Sequence, residues 1–171
     1  SSDDNGNASM ILSLLLGVAG AAASQPQKIV GYYPSWGIYQ GFTWKQVDYT
    51  QVTHVAWSFA MVDSSTGALI GPGDRRESDD LDSLVKAAHA HGVKVLVSLG
   101  GATGSGAFAP MARVAARRER FCREVSEFVR SRNLDGADMD WEWSGTPSAA
   151  DTAAYPVLLN QLRDSLGPSR I

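Results

Sequence analysis

Four runs of apolar and β-branched residues alternate with helical patterns along the chain. Near-continuous apolar runs of this length are typical of parallel β-strands whose two faces are both covered. Each run ends close to glycine, proline or a polar cluster, which favours strands over buried helices. The predicted strands are Lys28–Tyr33, Thr53–Val62, Val93–Leu99 and Leu134–Trp143.

Apolar positions at helical spacing predict three helices after the second strand. The first begins with Asp79 or Asp80 as its N-cap and ends at Gly92. The second covers roughly Ala115–Ser131, and the third runs from about Asp151 to Leu166. Strands that alternate with helices predict an α/β fold with a parallel sheet and right-handed crossovers.

The fourth predicted strand carries four carboxylates within residues 135–142. Because successive strand side chains point to opposite faces, Asp138, Asp140 and Glu142 share one face, about 7 Å apart at each step. Asp135 is out of phase with this row. The opposite face carries large apolar side chains, namely Met139, Trp141 and Trp143.

A row of acids on a buried strand indicates a functional site, because an unpaired buried charge is costly. Closely spaced carboxylates raise the pKa of one member, and a proton-holding carboxyl beside an ionised one suits glycoside hydrolysis and other general-acid chemistry. Two alternatives remain open on the pattern alone. The row could bind a hard cation such as calcium or magnesium, or it could be the solvated face of an edge strand, which the flanking Leu134, Trp141 and Trp143 disfavour.

Composition excludes few classes of protein. The 171 residues are 44% hydrophobic and carry a formal charge of −3, so charge gives no support for nucleic-acid binding. Five arginines between residues 113 and 123 alternate with glutamates, as on a solvated helical face. Cys122 is the single cysteine of the chain and is expected to be a buried thiol.

Residues 1–23 predict a leader rather than part of the fold. The apolar run that begins at Met10 is too short to span a membrane, and Ala21–Ala23 followed by Ser24 resembles a signal-peptide cleavage site. Residues 1–9 precede this methionine and are interpreted as the remnant of a tag. We therefore expect a secreted protein whose folded part is residues 24–171.

The acidic segment resembles a known family signature. Asp135-Gly-Ala-Asp-Met-Asp-Trp-Glu142 matches the Asp-x-x-Asp-x-Asp-x-Glu motif of glycoside hydrolase family 18, the chitinases and their relatives. Ser98–Gly101, Gly31–Trp36 and Trp57–Ala60 resemble the family's strands three, one and two. The resemblance implies a (β/α)₈ barrel of the TIM type and retaining, substrate-assisted hydrolysis of β-1,4-linked N-acetylglucosamine polymers such as chitin.

The resemblance also implies a role for each acid. Glu142 would protonate the leaving oxygen and later deprotonate water, Asp140 would orient the substrate acetamido group and stabilise the oxazolinium-like intermediate, and Asp138 would share a proton with Asp140. Tyr32 and Ser98 match the residues that hydrogen-bond this acid pair, and Asp135 is expected to have a structural role. The expected site needs no cofactor or metal.

Aromatic and glycine residues near the predicted strand ends are candidates for sugar binding, because sugar pockets combine apolar walls with a few polar groups. For two of them, Trp57 and Tyr33, packing in the core is an equally good interpretation. The full set of candidates is Trp57, Trp36, Tyr33, Gly100 and Gly101.

Length limits the functional prediction. A (β/α)₈ barrel needs about 250 residues, so the 148 residues after residue 23 hold only about the first four βα units. We expect chitin or N-acetylglucosamine oligosaccharides as ligands, with no nucleic acid, membrane or obligatory protein partner, and the chain alone to be inactive. The alternatives are an endo-β-N-acetylglucosaminidase acting on glycoprotein glycans and a non-catalytic chitin-binding lectin. The intact Glu142 favours an enzyme.

Overall fold

A computed structural model of the chain describes residues 27–143 and 145–171. The predicted leader, residues 1–23, lies outside the described residues. The strands are β1 Val30–Pro34, β2 His54–Val62, β3 Leu69–Ile70, β4 Lys94–Gly100 and β5 Gly136–Asp140. The helices are α1 Arg75–Ala90, α2 Gly101–Gly104, α3 Phe108–Ala112, α4 Ala115–Ser131 and α5 Ala149–Leu166, with 3₁₀ turns at Ser35–Gln40, Trp44–Gln46 and Ser105–Ala107.

Four of the strands form one parallel sheet in the order β1-β2-β4-β5. The remaining strand, β3, pairs antiparallel with the end of β2. Ile171 lies along the outer side of β5, where its N–H donates to the carbonyl of Asp135 and its own carbonyl accepts from the N–H of Ala137. The predicted parallel α/β order is therefore observed, with β3 as an addition.

The observed boundaries differ from the predicted ones mainly at the start of α1 and at the end of β5. Helix α1 begins at Arg75, and its N-cap is Asp74, whose side chain accepts from the N–H of Glu77. The predicted cap Asp80 instead lies inside the helix and is buried. Strand β5 ends at Asp140, two residues before Glu142. The acidic row therefore begins on a strand and ends in the loop that follows it.

One face of the sheet packs against the helices and forms the core. Tyr33, Trp57 and Val97 lie side by side on this face in the strand register. Tyr33 and Trp57 are each 1% exposed and belong to the main hydrophobic cluster. The prediction that these two aromatics bind sugar is therefore wrong, because their rings are covered by the helical layer.

The Tyr33 hydroxyl is a buried polar group within this core. It donates to the Asp80 carboxylate on α1, and burial together with this carboxylate raises the pKa of Tyr33. Asp80 has no arginine, lysine or histidine within ion-pair distance among the described residues. The hydrogen bond thus joins β1 to α1 and provides the partner that a buried carboxylate requires.

Replacing Tyr33 by phenylalanine is expected to lower the free energy of unfolding by about 1 to 3 kcal/mol, because it leaves the buried Asp80 without its donor. Denaturant unfolding of the chain measures the change. Tyr39→Phe is the matched control, since its hydroxyl bonds Asp74 at the exposed surface and its loss should change stability much less. Equal losses in both variants would contradict the assignment.

Candidate active site

The face of the sheet opposite the helices carries the polar side chains. Ser58, Ser98 and Asp138 lie side by side across β2, β4 and β5. Asp140 lies one step further along β5, opposite Gly100 of β4. These positions are at or near the carboxyl ends of the strands, where α/β sheets and barrels place their functional residues.

Asp138 is held by two hydroxyl groups from other strands. Its Oδ2 accepts from the Tyr32 hydroxyl at 2.9 Å and from the Ser98 hydroxyl at 2.8 Å. Ser98 is on the neighbouring strand, whereas Tyr32 is on β1, and its side chain reaches past β2 and β4. The structure thus brings together the two supporting residues that were predicted and shows that both donate to the same carboxylate oxygen.

Asp140 is the acid of the row with a raised pKa. Its partial burial has the largest effect, and the negative charges of Glu142 and Asp138 add to it. Tyr32 responds to the same surroundings, because burial and its bond to Asp138 raise its pKa to about 12. The phenol therefore stays protonated and remains a hydrogen-bond donor over the whole neutral pH range.

Asp140→Asn is expected to stabilise the fold at neutral pH. A carboxyl whose pKa is higher in the folded than in the unfolded chain opposes folding once it ionises, so stability falls as pH rises above about 4. The gain from Asp140→Asn should be absent below that pH and grow toward pH 7. Thermal unfolding from pH 3 to 7 measures it.

Asp79→Asn is the control for this pH series, because Asp79 is exposed and faces Arg75 in a surface pair. Surface pairs of this kind contribute little. The control should show no gain at pH 7. A gain in Asp140→Asn that is equally large at pH 3 would contradict the role assigned to the ionised carboxylate.

The two glycines that end the Ser98–Gly101 segment are required by close packing. Gly100 has φ +108°, and a Cβ there would lie 2.5 Å from Cε2 of Phe108 and 2.7 Å from the carbonyl oxygen of Asp140. Gly101 has φ +72° and its Cβ would lie 2.7 Å from the ring of Phe59. Both residues are buried. The structure therefore gives them a packing role in place of the predicted sugar contact.

Asp135 lies at the other end of β5, away from the acid row. Its Oδ2 accepts from the N–H of Val95 at 2.8 Å and lies 2.8 Å from Nε2 of His89. It thereby joins the starts of two neighbouring strands to the last turn of α1. The predicted structural role of Asp135 agrees with these contacts, whereas its histidine partner was missed because 46 residues separate the two in sequence.

Aromatic side chains flank the acids on two sides. On the β1 side, Trp36 is 48% exposed and stacks on Phe59 with ring centroids 6.2 Å apart. Beyond β5, Trp143 stacks on the buried Trp141 with centroids 4.9 Å apart. Trp36 thus remains available as a sugar-binding surface, and Phe59 joins it.

Phe59 was missed because strict alternation places it on the same face as Trp57. The strand register shifts between Ser58 and Ala60, and such an irregularity redirects a side chain. Phe59 consequently contacts Tyr32 and Trp36 on the acidic side of the sheet.

Glu142 is exposed and borders a cavity of about 470 Å³. The wall opposite the Trp141–Trp143 pair consists mostly of small residues from the segment after β4. The lining residues are Ala102, Thr103, Ser105, Gly106, Ala109, Trp141, Glu142 and Trp143. Within residues 27–143 and 145–171, no group of three or more histidine, cysteine or acidic side chains is arranged to hold a metal ion.

A family model described as "Glycosyl hydrolases family 18" matches residues 28–170. Among curated proteins, a "chitinase-like effector" from Moniliophthora perniciosa is 34% identical over 149 residues, which cover 82% of this chain and 34% of the relative. The chain thus spans about a third of the length of this relative.

Solved structures show the same relationship. A chitinase from Rhizomucor miehei superposes with a TM-score of 0.73 at 29% identity, covering 85% of this chain and 45% of its own. A mutant class V chitinase from Nicotiana tobaccum in complex with NAG4 superposes with a TM-score of 0.67 at 26% identity. The match covers 80% of this chain and 38% of the chitinase chain. A chitinase-like agglutinin from Robinia pseudoacacia gives 0.72 at 25% identity, covering 83% and 44%. The predicted barrel-type α/β fold, with about four βα units in this chain, is confirmed.

Proposed function

This chain belongs to family 18 of the glycosyl hydrolases, and from that premise we propose that it carries the acid-bearing half of an active site that hydrolyses β-1,4-linked N-acetylglucosamine polymers. The observation that carries the proposal is the placement of the acids. Asp138 is fixed by two hydroxyl donors, Asp140 follows it with a raised pKa, and Glu142 borders an open cavity. Three carboxyls in these different surroundings suit general acid–base catalysis.

The proposed reaction uses the substrate's own acetamido group as the nucleophile. Glu142 donates its proton to the glycosidic oxygen as the bond from that oxygen to C1 breaks. The acetamido carbonyl oxygen of the same sugar forms a bond to C1 and gives an oxazolinium ion. Water then attacks C1 as the bond from the acetamido oxygen to C1 breaks, which restores the acetamido group, and the proton of the water returns to Glu142. Two displacements at C1 retain the β configuration.

Asp140 has a role that follows from its raised pKa. Its ionisation is unfavourable in the empty site, because burial and two neighbouring acids oppose it. A positive charge that develops on the acetamido group makes this ionisation favourable. Asp140 therefore stabilises the oxazolinium-like state more than the neutral substrate, which is the condition for a rate enhancement.

Asp138 and its donors keep this arrangement in place. With Oδ2 occupied by Tyr32 and Ser98, the remaining oxygen is the atom that can share a proton with Asp140. The exposed faces of Trp36 and Trp143 lie on either side of the row and suit the apolar faces of pyranose rings. A substrate chain would therefore cross the strand ends from β1 toward the loop after β5.

A sugar-binding protein without activity is the second candidate, because an agglutinin shares the fold and a relative is described as an effector. The two functions differ in one measurement. Chitooligosaccharides are incubated with the protein that carries this chain, and products are followed by ¹H NMR. An enzyme of the proposed kind releases product whose first-formed anomer is β. Binding without any product would support the agglutinin-like function, and a first-formed α anomer would exclude the proposed mechanism.

A further inference from the structure

Ser105 lies where the segment after β4 meets the end of β5. Its side chain is on the 3₁₀ turn Ser105–Ala107, and the residue is 2% exposed. The hydroxyl oxygen accepts from the backbone N–H of Glu142 at 2.7 Å. The same hydroxyl lies 2.8 Å from the carbonyl oxygen of Gly101 and 3.1 Å from that of Asp140, to either of which it can donate its proton.

The contact is notable because Glu142 is beyond the strand. β5 ends at Asp140, so the parallel ladder with β4 provides no backbone partner for the N–H of Glu142. The hydrogen bond from this N–H is partly buried, and a backbone N–H that is shielded from water is normally paired with an acceptor. Ser105 provides one and at the same time contacts the carbonyl of Asp140. One hydroxyl therefore accepts from the backbone after Trp141 and lies within hydrogen-bond distance of the carbonyl before it.

We propose that Ser105 is a positioning residue for the general acid. This inference rests on the proposed function of Glu142. With the Glu142 N–H held and the Asp140 carbonyl 3.1 Å from the same hydroxyl, the Glu142 carboxyl projects from a fixed stretch of backbone. Reaction rates are sensitive to displacements of about 1 Å in such groups. Although Ser105 lines the cavity, it is 2% exposed and its hydroxyl has only backbone partners, so its proposed action is through the backbone of Glu142.

The Ser105→Ala variant tests this inference, and Ser126→Ala is the matched control. Ser126 is also 2% exposed, and its hydroxyl likewise joins two segments, since it donates to the carbonyl of Ser165 and accepts from Arg130. Both variants remove one buried hydroxyl, and we expect similar losses of stability. Only Ser105→Ala should remove the hydrogen bond that holds the backbone N–H of Glu142.

Amide hydrogen exchange of the chain itself gives the first result. The Glu142 N–H should exchange at least about 10-fold faster in Ser105→Ala than in the parent or in Ser126→Ala, because its acceptor is lost. Amides within α1 should report only the loss of stability that both variants share, and so should not distinguish Ser105→Ala from Ser126→Ala. Unchanged exchange of the Glu142 amide in Ser105→Ala, or an equal change in Ser126→Ala, would overturn the proposal.

Kinetics of the protein that carries the chain give the second result. Ser105→Ala should lower kcat for chitooligosaccharides, expressed per folded protein, by about 10- to 100-fold with KM within about twofold. Ser126→Ala, with a similar loss of stability, should leave both unchanged. A change confined to KM would overturn the positioning role. If the parent protein hydrolyses no chitooligosaccharide, the proposed function fails, whereas the exchange experiment still decides whether Ser105 holds Glu142.

Discussion

Replacing Glu142 by glutamine is expected to lower kcat for chitooligosaccharide hydrolysis by about 10²- to 10⁴-fold, the range that a positioned general acid–base group contributes. Glutamine has nearly the same shape and keeps the hydrogen-bonded backbone N–H, but it has no proton of suitable acidity for the leaving oxygen. Oligosaccharide binding should persist, since the flanking Trp36 and Trp143 are unchanged. Product release and binding calorimetry on the protein that carries this chain measure the two effects.

The control for this variant is Glu127→Gln, which makes the same chemical change on the exposed side of α4. It should leave both turnover and binding unaltered. Turnover within about tenfold of the parent in Glu142→Gln would remove Glu142 from the catalytic role. Loss of binding together with turnover would instead indicate that the substitution disturbs the site as a whole.

Replacing Gly100 by alanine is expected to lower the free energy of unfolding by about 2 to 5 kcal/mol. Gly100 has φ +108° and ψ −96°, a conformation that a residue with a side chain rarely adopts, and a positive φ costs about 1 to 2 kcal/mol. Forcing a methyl group into a packed core costs about 1 to 3 kcal/mol more. Here the methyl group would overlap the ring of Phe108 and the carbonyl of Asp140. Denaturant unfolding of the chain measures the loss.

Gly41→Ala separates the two contributions. Gly41 also has positive φ, at +85°, yet nothing lies within 4 Å of its would-be Cβ. It should therefore show the backbone cost alone. If Gly100→Ala were no more destabilising than Gly41→Ala, the close approach of β4 to the Asp140 carbonyl would not matter for stability.

The acid row could be predicted from sequence because it depends on local periodicity. Alternation along one strand is enough to place Asp138 and Asp140 together and to exclude Asp135. The position of Glu142 beyond the strand could not be obtained in this way, since strand ends depend on pairing with β4. Its backbone acceptor Ser105 is 37 residues away, and nothing in the local pattern marks it.

The aromatic residues were harder to assign, for two physical reasons. Tyr32 and Tyr33 are adjacent on a strand, so they must point to opposite faces, and only one of them can serve the acid row. Alternation does not say which one. The family resemblance assigned the role to Tyr32, and its bond to Asp138 agrees. Alternation places Trp57 and Phe59 on the same face of β2. The register shift in β2 separates them, because it turns Phe59 toward the acids and leaves Trp57 in the core.

The hydrogen bond from Tyr32 to Asp138 joins two strands that are not neighbours in the sheet. The distance that this bond spans depends on how far the sheet curves across the two strands between them, β2 and β4. Flattening the sheet would lengthen this distance, whereas the hydrogen bonds between adjacent strands could keep their length. The bond from Tyr32 to Asp138 therefore depends on the curvature of the sheet. A change in that curvature alters the surroundings of Asp138 even while every strand pair stays intact.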